Sequence, residues 1–468
     1  ETYHSFEPKN KKDHHMTECN SQPIAFSSFG RRAVLADFAG GSITSDAGAL
    51  LLREADRRLD LVGLLDAAIP DPRNQALITH QQSTMLRQRI FAIAMGYEDG
   101  NDHQQLRDDP LMQLVSERGI DPDQPLASPP TLCRLENRVS RQALAEIAKV
   151  FVEIFIKSFS SAPEELVLDF DATDDAVHGH QVNRFFHGYY DQYCFLPLYV
   201  FCGHHLLVSY LRPANIDPAT HTWAILSLLV KRLRQKWPDV KIIFRGDSGF
   251  CRWKMLRWCE RHDVGYIVGL AKNNRLEPLA KAAMEQAKDL FEKAGDGKPQ
   301  RVFTEFMYAA GTWDQPRRVI AKAEYLGPPE GGKPKENFRF VVTNLTQDGS
   351  WLYEKFYCKR GDAENRIKEQ QLGLFADRTS CHEFVPNQFR VMLSAAAYVL
   401  LQYLRQTVLV GTELAEAQVT TIRLKLLKIG GLVIRSARRI VLHLASGCPQ
   451  QQLFRLIAAR LFSTPSTA

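Results

Sequence analysis

The most constraining stretch of the chain is EELVLDFDATDDAVHG, Glu164 to Gly179, where an apolar run ends in a cluster of aspartates. Before it the apolar residues recur with helical period, as in SRQALAEIAKVFVEIFIKSF; from Glu165 the period drops to that of strands. In LVLDFDA, Asp169 and Asp171 lie two apart and so share one face of a strand, with Leu168 and Phe170 on the other. YCFLPLYVF and HLLVSYLRP read as two more strands, followed by the amphipathic helix ATHTWAILSLLVKRLRQKW, the strand VKIIFRGD, the helix FCRWKMLRWCERH and the strand GYIVGLA. The order βββαβαβ predicts a mixed sheet with helices on its faces.

The surrounding sequence sets this unit in a larger chain. At 468 residues, with 45% apolar and 24% charged residues, the protein is long enough for several packed cores and has the balance of a folded globular chain. From GGSITSDAGALLLREAD to about residue 160 the chain reads as all-helical, after a polar lead-in of residues 1–32 with no apolar signal segment. Beyond the strands, RVFTEFMYA, RRVIAKAEYLG and NFRFVVTNL predict a β-rich insertion within 276–350. VMLSAAAYVLLQYL is shorter than the ~20 residues of a membrane-spanning helix and reads as a buried one. Nine scattered cysteines without a C-x-x-C argue against a disulfide framework and for a reducing compartment.

Three segments place carboxylates where chemistry can use them. Asp169 and Asp171 end a strand, Asp247 of RGDSGF falls just past another strand's carboxyl end, and Glu364 of RGDAENRIKE begins a helix. Each alone is most simply a cap or a turn residue. Together they form a hard oxygen donor set suited to Mg²⁺, and two such ions can promote in-line attack at phosphorus. His178 and His180, and the pair His204 and His205, lack nearby cysteines and read as solvated or hydrogen-bonded rather than as transition-metal ligands.

Two families share parts of this pattern. LVLDFDAT resembles the D-x-D-x-T of haloacid-dehalogenase-type phosphatases, but that family wants a second acid shortly after G-D, where this chain has Cys251 and Arg252. A second resemblance spans nearly the whole chain: GGSITSDAGALLLREAD, GYEDGNDHQQLRDDP, SPPTLCRLENR, LVLDFDATDDAVHGHQ, VKIIFRGDSGFCRWKMLRWCE, VGYIVGLAKNNRL and YCKRGDAENRIKE together resemble bacterial insertion-sequence DDE transposases of the thirteen-eighty family. The resemblance implies an α/β ribonuclease H-like catalytic core with a β-rich insertion, flanked by an all-helical N-terminal region and a basic C-terminal part. It implies Asp171, Asp247 and Glu364 as catalytic ligands of two Mg²⁺, with Mn²⁺ substituting, and leaves Asp169 as a brace or a plain strand-end acid. Tyr357, Arg360 and Glu364 match the related helix signature, whose Lys position holds Gln371, with Lys368 one turn after Glu364 as the substitute phosphate contact.

On this resemblance the partners are double-stranded DNA, as terminal inverted repeats and as target, and a second copy in a homodimeric synaptic complex, in the bacterial cytoplasm. The alternatives are a metal-dependent phosphatase or nuclease without strand transfer, and a non-catalytic DNA-binding protein. The expected organisation is a DNA-end-binding region over 33–160, core over 161–275 and 351–405, and a basic, helical part over 406–468. From Val419 onward there are eight basic residues and no acid, so the tail can neutralise phosphate, or its stems can snorkel from a packed segment. Candidate DNA contacts are Arg134 and Arg138, in a helix that reads equally as entering a major groove or as presenting a solvated face, Arg317, Arg318 and Lys322 in the insertion, and Arg435, Arg438 and Arg439 in the tail.

Overall fold

The computed structural model describes residues 23–121, 123–328 and 334–463. At its centre is a mixed sheet of eight strands: β1 (Glu165–Ala172), β2 (Leu198–Cys202), β3 (His205–Tyr210), β4 (Lys241–Gly246), β5 (Val264–Leu270), β6 (Gln300–Tyr308), β7 (Arg317–Leu326) and β8 (Lys335–Thr343). Their spatial order is β6-β7-β8-β5-β4-β1-β2-β3. β1, β2 and β3 are antiparallel neighbours, whereas β4 and β5 run parallel to β1. Such parallel pairs need crossover connections, supplied here by α1 (Thr222–Lys236) and α2 (Trp253–Arg261).

Alternation along β1 divides the molecule. Leu166, Leu168 and Phe170 pack into one cluster with Leu226, Leu229, Val230 and Leu233 of α1 and Met255, Leu256 and Cys259 of α2. On the other side of the sheet Tyr199, Phe201 and Leu206 join the larger cluster built around α4 (Phe384–Thr407), which also takes in Ala363 and Ile367 of α3 (Gly361–Lys368). Among the described residues α4 alone is long and apolar enough to cross a membrane, but 78% of its apolar window is buried in protein. It is the central core helix.

The β-rich segment expected within 276–350 is formed by β6, β7 and β8, and these strands extend the central sheet: β8 pairs antiparallel with β5, Val268 opposite Val342 and Gly269 opposite Val341, and β7 and β6 continue the same ladder. An alternating pattern reports a half-buried strand but not its partner. Two expectations need correction. The N-terminal region is not all helix, because Ile24–Phe29 and Arg32–Ala36 form a hairpin ahead of the helices Ala49–Leu59 to Arg141–Lys157. The C-terminal part is not all helix either: Gly431–Arg435 and Ile440–Leu444 form a hairpin, closed by Ser436 and Arg439, to which Ile43–Thr44 adds a third strand. Most of the polar lead-in lies outside the described residues.

A buried carboxylate ties the N-terminal helices to the core. Glu136, 1% exposed, accepts from Arg89 at 3.0 Å and from Arg390 of α4 at 2.8 Å. Each guanidinium offsets the cost of burying the acid, so the helix Pro129–Arg138 is held rigidly against α4.

Candidate active site

The parallel register between β1 and β4 aligns two pairs of side chains. Arg245 lies opposite Asp169 and Gly246 opposite Phe170, so Asp247, one residue on, comes level with Asp171. Asp247 caps the short turn Ser248–Phe250, its Oδ1 accepting from the Gly249 amide at 2.8 Å, which leaves Oδ2 without that constraint. Gly269 of β5 closes against this turn: a Cβ there would stand 2.7 Å from the Ser248 amide nitrogen and 2.7 Å from the Tyr357 hydroxyl. Only glycine lets the turn and the tyrosine meet over the strand.

The third acid arrives on a helical run of changing pitch. From Gly349 to Gly373 the chain passes through π-helical turns at Leu352–Phe356 and Glu369–Gly373, with α3 between them. Such turns re-aim side chains and recur at functional sites. Arg360, at the start of α3, donates to Asp171 Oδ2 at 3.2 Å and also to Glu364 Oε1. The guanidinium thus bridges a strand acid and a helix acid.

Electrostatics agree with this proximity. Burial pushes the Asp171 carboxyl up to about 7; Arg360 opposes the shift, and the charges of Asp247 and Glu364 add to it. A buried carboxylate crowded by two others binds a proton or a cation readily. Burial also raises the Tyr357 phenol, with Arg360 opposing and Asp247 adding. Asp169 is placed differently from Asp171: 4% exposed, it forms a two-pronged ion pair with Arg245, the second contact at 2.7 Å. Arg245 also donates to the carbonyl of Phe356 and lies 5.4 Å over its ring. Asp169 therefore braces the segment that delivers Tyr357, Arg360 and Glu364, a role that RGDSGF, read for its aspartate, did not disclose.

Among the described residues no three His, Cys, Asp or Glu side chains stand close enough to share one metal ion as they are oriented. The donor chemistry nevertheless fits a hard cation. Arg360 already places positive charge between Asp171 and Glu364, and Glu364 is exposed, its visible tie being to that same arginine. Lys368 is exposed one turn beyond Glu364, while Gln371 donates to the Asp174 carbonyl at 2.7 Å. An open pocket of about 1140 Å³ lies against the other stripe of α3, lined by Asp362, Asn365 and Arg366, and does not include the acids. His204 bonds Arg366 at 2.7 Å and His180 bonds Arg184 at 2.9 Å, so both histidines are hydrogen-bonded.

The basic candidates separate by their partners. Arg317, 3% exposed, is held by Glu260 at 2.7 Å and Asp314 at 2.9 Å, and Arg318 by Glu305 at 2.8 Å and by the carbonyls of Leu345 and Gln347. Lys322 pairs with Glu324 at 2.8 Å. All three are ion-paired to acids of the sheet extension, Arg317 buried and Arg318 and Lys322 partly exposed. Arg138 is bonded to Gln82 and faces Asp71 at 3.6 Å. Arg134, Arg438 and Arg439 are exposed; Arg435, also exposed, donates to the Ile120 carbonyl.

The mixed α/β chain thus brings two strand acids level and bridges one of them to a helix acid through Arg360. The family model described as "Transposase DDE domain group 1" matches residues 26–466, and the chain belongs to that family of transposases. A solved cryo-EM structure of a piggyBac transposase synaptic complex with hairpin DNA is similar over 82% of this chain and 80% of that one, at 11% identity and a TM-score of 0.41. No curated protein matches the chain.

Proposed function

We propose that this transposase cleaves DNA at the ends of a bacterial insertion sequence of the thirteen-eighty type and joins the exposed 3′-OH to target DNA. Asp171, Asp247 and Glu364 are the carboxylates that would hold two Mg²⁺, or Mn²⁺ in their place. The observation that carries this reading is the bridge from Arg360 to both Asp171 and Glu364, across 189 residues of sequence in the first case. When bound, such ions supply Lewis acidity at the scissile phosphate.

The chain's own groups do the rest. Arg360, released from the two acids, is placed to meet a phosphate oxygen, and Lys368 offers a second charge on the same helical stripe. Asp169 and Arg245 hold the Phe356 carbonyl and thereby the start of the acid-bearing helix. A ribonuclease H-like core is supported by three antiparallel strands followed by two parallel ones in the order β3-β2-β1-β4-β5. The phosphatase alternative requires an accessible first aspartate as nucleophile, and Asp169 is sealed in its ion pair. Arg134, Arg438 and Arg439 remain as exposed candidates for gripping terminal repeats, and a homodimer for pairing two ends.

The test is incubation of the full chain with a labelled terminal-repeat duplex and a target duplex, with and without Mg²⁺. A metal-dependent nick at the element boundary followed by strand joining is expected. Cleavage without joining, or joining without metal, contradicts the reading.

A further inference from the structure

Between β1 and β2 the chain leaves the central sheet and builds a small one, in which Asp175–Ala176 pairs with Gln192–Phe195 and the latter with Phe185–His187. Its hairpin turns through Gly188, Tyr189, Tyr190 and Asp191, the last in the left-handed region at φ 53°. Aromatic rings crowd its surface: Phe186 is 53% exposed, Tyr189 85% and Tyr193 50%. Phe186 and Tyr193 lie opposite each other in register and meet edge to face at 5.7 Å, and the Arg184 guanidinium sits 4.7 Å over the Tyr193 ring. From Asn183 to Tyr193 there is no Leu, Ile, Val or Met. The exposed surface of the hairpin is aromatic, with one guanidinium stacked on it and no aliphatic side chain between the rings.

The hairpin is attached to the acids. Gln192 donates to the Asp174 side chain at 2.5 Å, and Gln371, on the run that carries Glu364, donates to the Asp174 carbonyl at 2.7 Å. Asp174 is three residues beyond Asp171. Tyr190 turns inward onto Cys194 and Leu196, and its phenol is raised by burial and by the charges of Asp174, Asp171 and Asp247. Its neighbour Tyr189, edge-on to it at 5.0 Å, turns out to solvent.

We propose that this hairpin is a stacking platform for unpaired nucleobases of the DNA end being processed, with Tyr189, Phe186 and Tyr193 offering ring area and Arg184 a cationic contact. The proposal rests on the reading that the Asp171 site acts on DNA. Stacking suits such a place because every base has a π face, so binding tolerates any sequence. Opening a duplex at the reacting end exposes those faces within reach of the acids.

The experiment compares a short blunt duplex with the same duplex carrying a single-stranded overhang that contains 2-aminopurine, bound by the full chain without divalent metal. The wild type is expected to bind the overhang duplex more tightly and to quench the probe. Tyr189→Ala combined with Phe186→Ala should weaken overhang binding by about fivefold or more while leaving blunt-duplex affinity and thermal melting unchanged. Tyr189→Phe, which keeps the ring, should behave as wild type. Equal binding of both duplexes by the wild type, an unaffected double variant, or a parallel loss on both duplexes overturns the platform. A wild type that binds neither duplex overturns instead the DNA reading on which it rests.

Discussion

Arg360 donates to Asp171 Oδ2 at 3.2 Å and, through a second contact, to Glu364 Oε1, joining a strand acid to a helix acid. Removing it has two separable consequences. Arg360→Gln should lower cleavage by at least about tenfold, the cost of losing one charge-assisted contact to phosphate. Because Arg360 opposes the upward shift of Asp171, the acid limb of the pH–rate profile should also move to higher pH. A variant with reduced rate but an unmoved acid limb would show that Arg360 does not act on Asp171.

The raised Asp171 carboxyl, whose burial outweighs its pairing with Arg360, makes a stability prediction whose sign is the reverse of that for an acid lowered on folding. Its folded value of about 7 exceeds the ordinary 3.8, so the folded chain binds the extra proton between those two pH values. Its ionisation cost is absent below pH ~4, grows through pH ~7 and is constant above. Asp171→Asn should therefore stabilise the metal-free protein by ~1–4 kcal/mol at pH 8 and by little at pH 4, read by urea unfolding. In cleavage assays of the wild type, the acid limb should lie near neutrality at low Mg²⁺ and move to lower pH as Mg²⁺ is raised, since metal and proton compete for one group.

Asp169 and Arg245 form the buried brace beneath the site. Asp169→Ala strands a guanidinium that is 6% exposed, which should cost ~3–5 kcal/mol and unfold the chain at lower denaturant. Replacing both, as Asp169→Leu with Arg245→Met, should cost less than the single change. Cleavage should be lost in the double variant, because the Phe356 carbonyl loses its donor, and should fall in Asp169→Ala, because Arg245 loses the carboxylate that orients it.

Gly269→Ala tests the fit between β5, the Asp247 turn and Tyr357. Its methyl would meet the Ser248 nitrogen and the Tyr357 hydroxyl, both at 2.7 Å, so the turn or the tyrosine must shift. Overpacking of this kind costs ~1–3 kcal/mol, and cleavage should fall by more than about tenfold through displacement of Asp247. Adding Tyr357→Phe relieves one of the two clashes and should restore part of the stability.

The βββαβαβ order was legible because strands and helices there alternate with clean periods, and the acids were legible as candidates because Asp171 and Asp247 end strands. What lay hidden was pairing. Nothing local in NFRFVVTNL says that Val341 will face Gly269, and nothing in RRVIAKAEYLG says that Arg317 will be closed over by Glu260, which is 57 residues away. The ion pairs of Arg317 with Glu260 and Asp314, and of Arg318 with Glu305, are likewise invisible in charge type alone. The C-terminal hairpin was legible in principle, from the alternation on either side of SARR, but its basic residues drew the reading toward a helical surface. The role of Arg245 comes from its register with Asp169, which no motif in VKIIFRGD encodes.

Binding of Mn²⁺ to the full chain, followed by the paramagnetic resonance signal of the free ion in the presence of a terminal-repeat duplex, tests the proposed metal-holding role of Asp171, Asp247 and Glu364 most directly. The wild type should remove Mn²⁺ from solution, and Asp171→Asn, Asp247→Asn and Glu364→Gln should each weaken that uptake while the duplex stays bound. Undiminished Mn²⁺ uptake in all three variants would contradict the assignment of those acids.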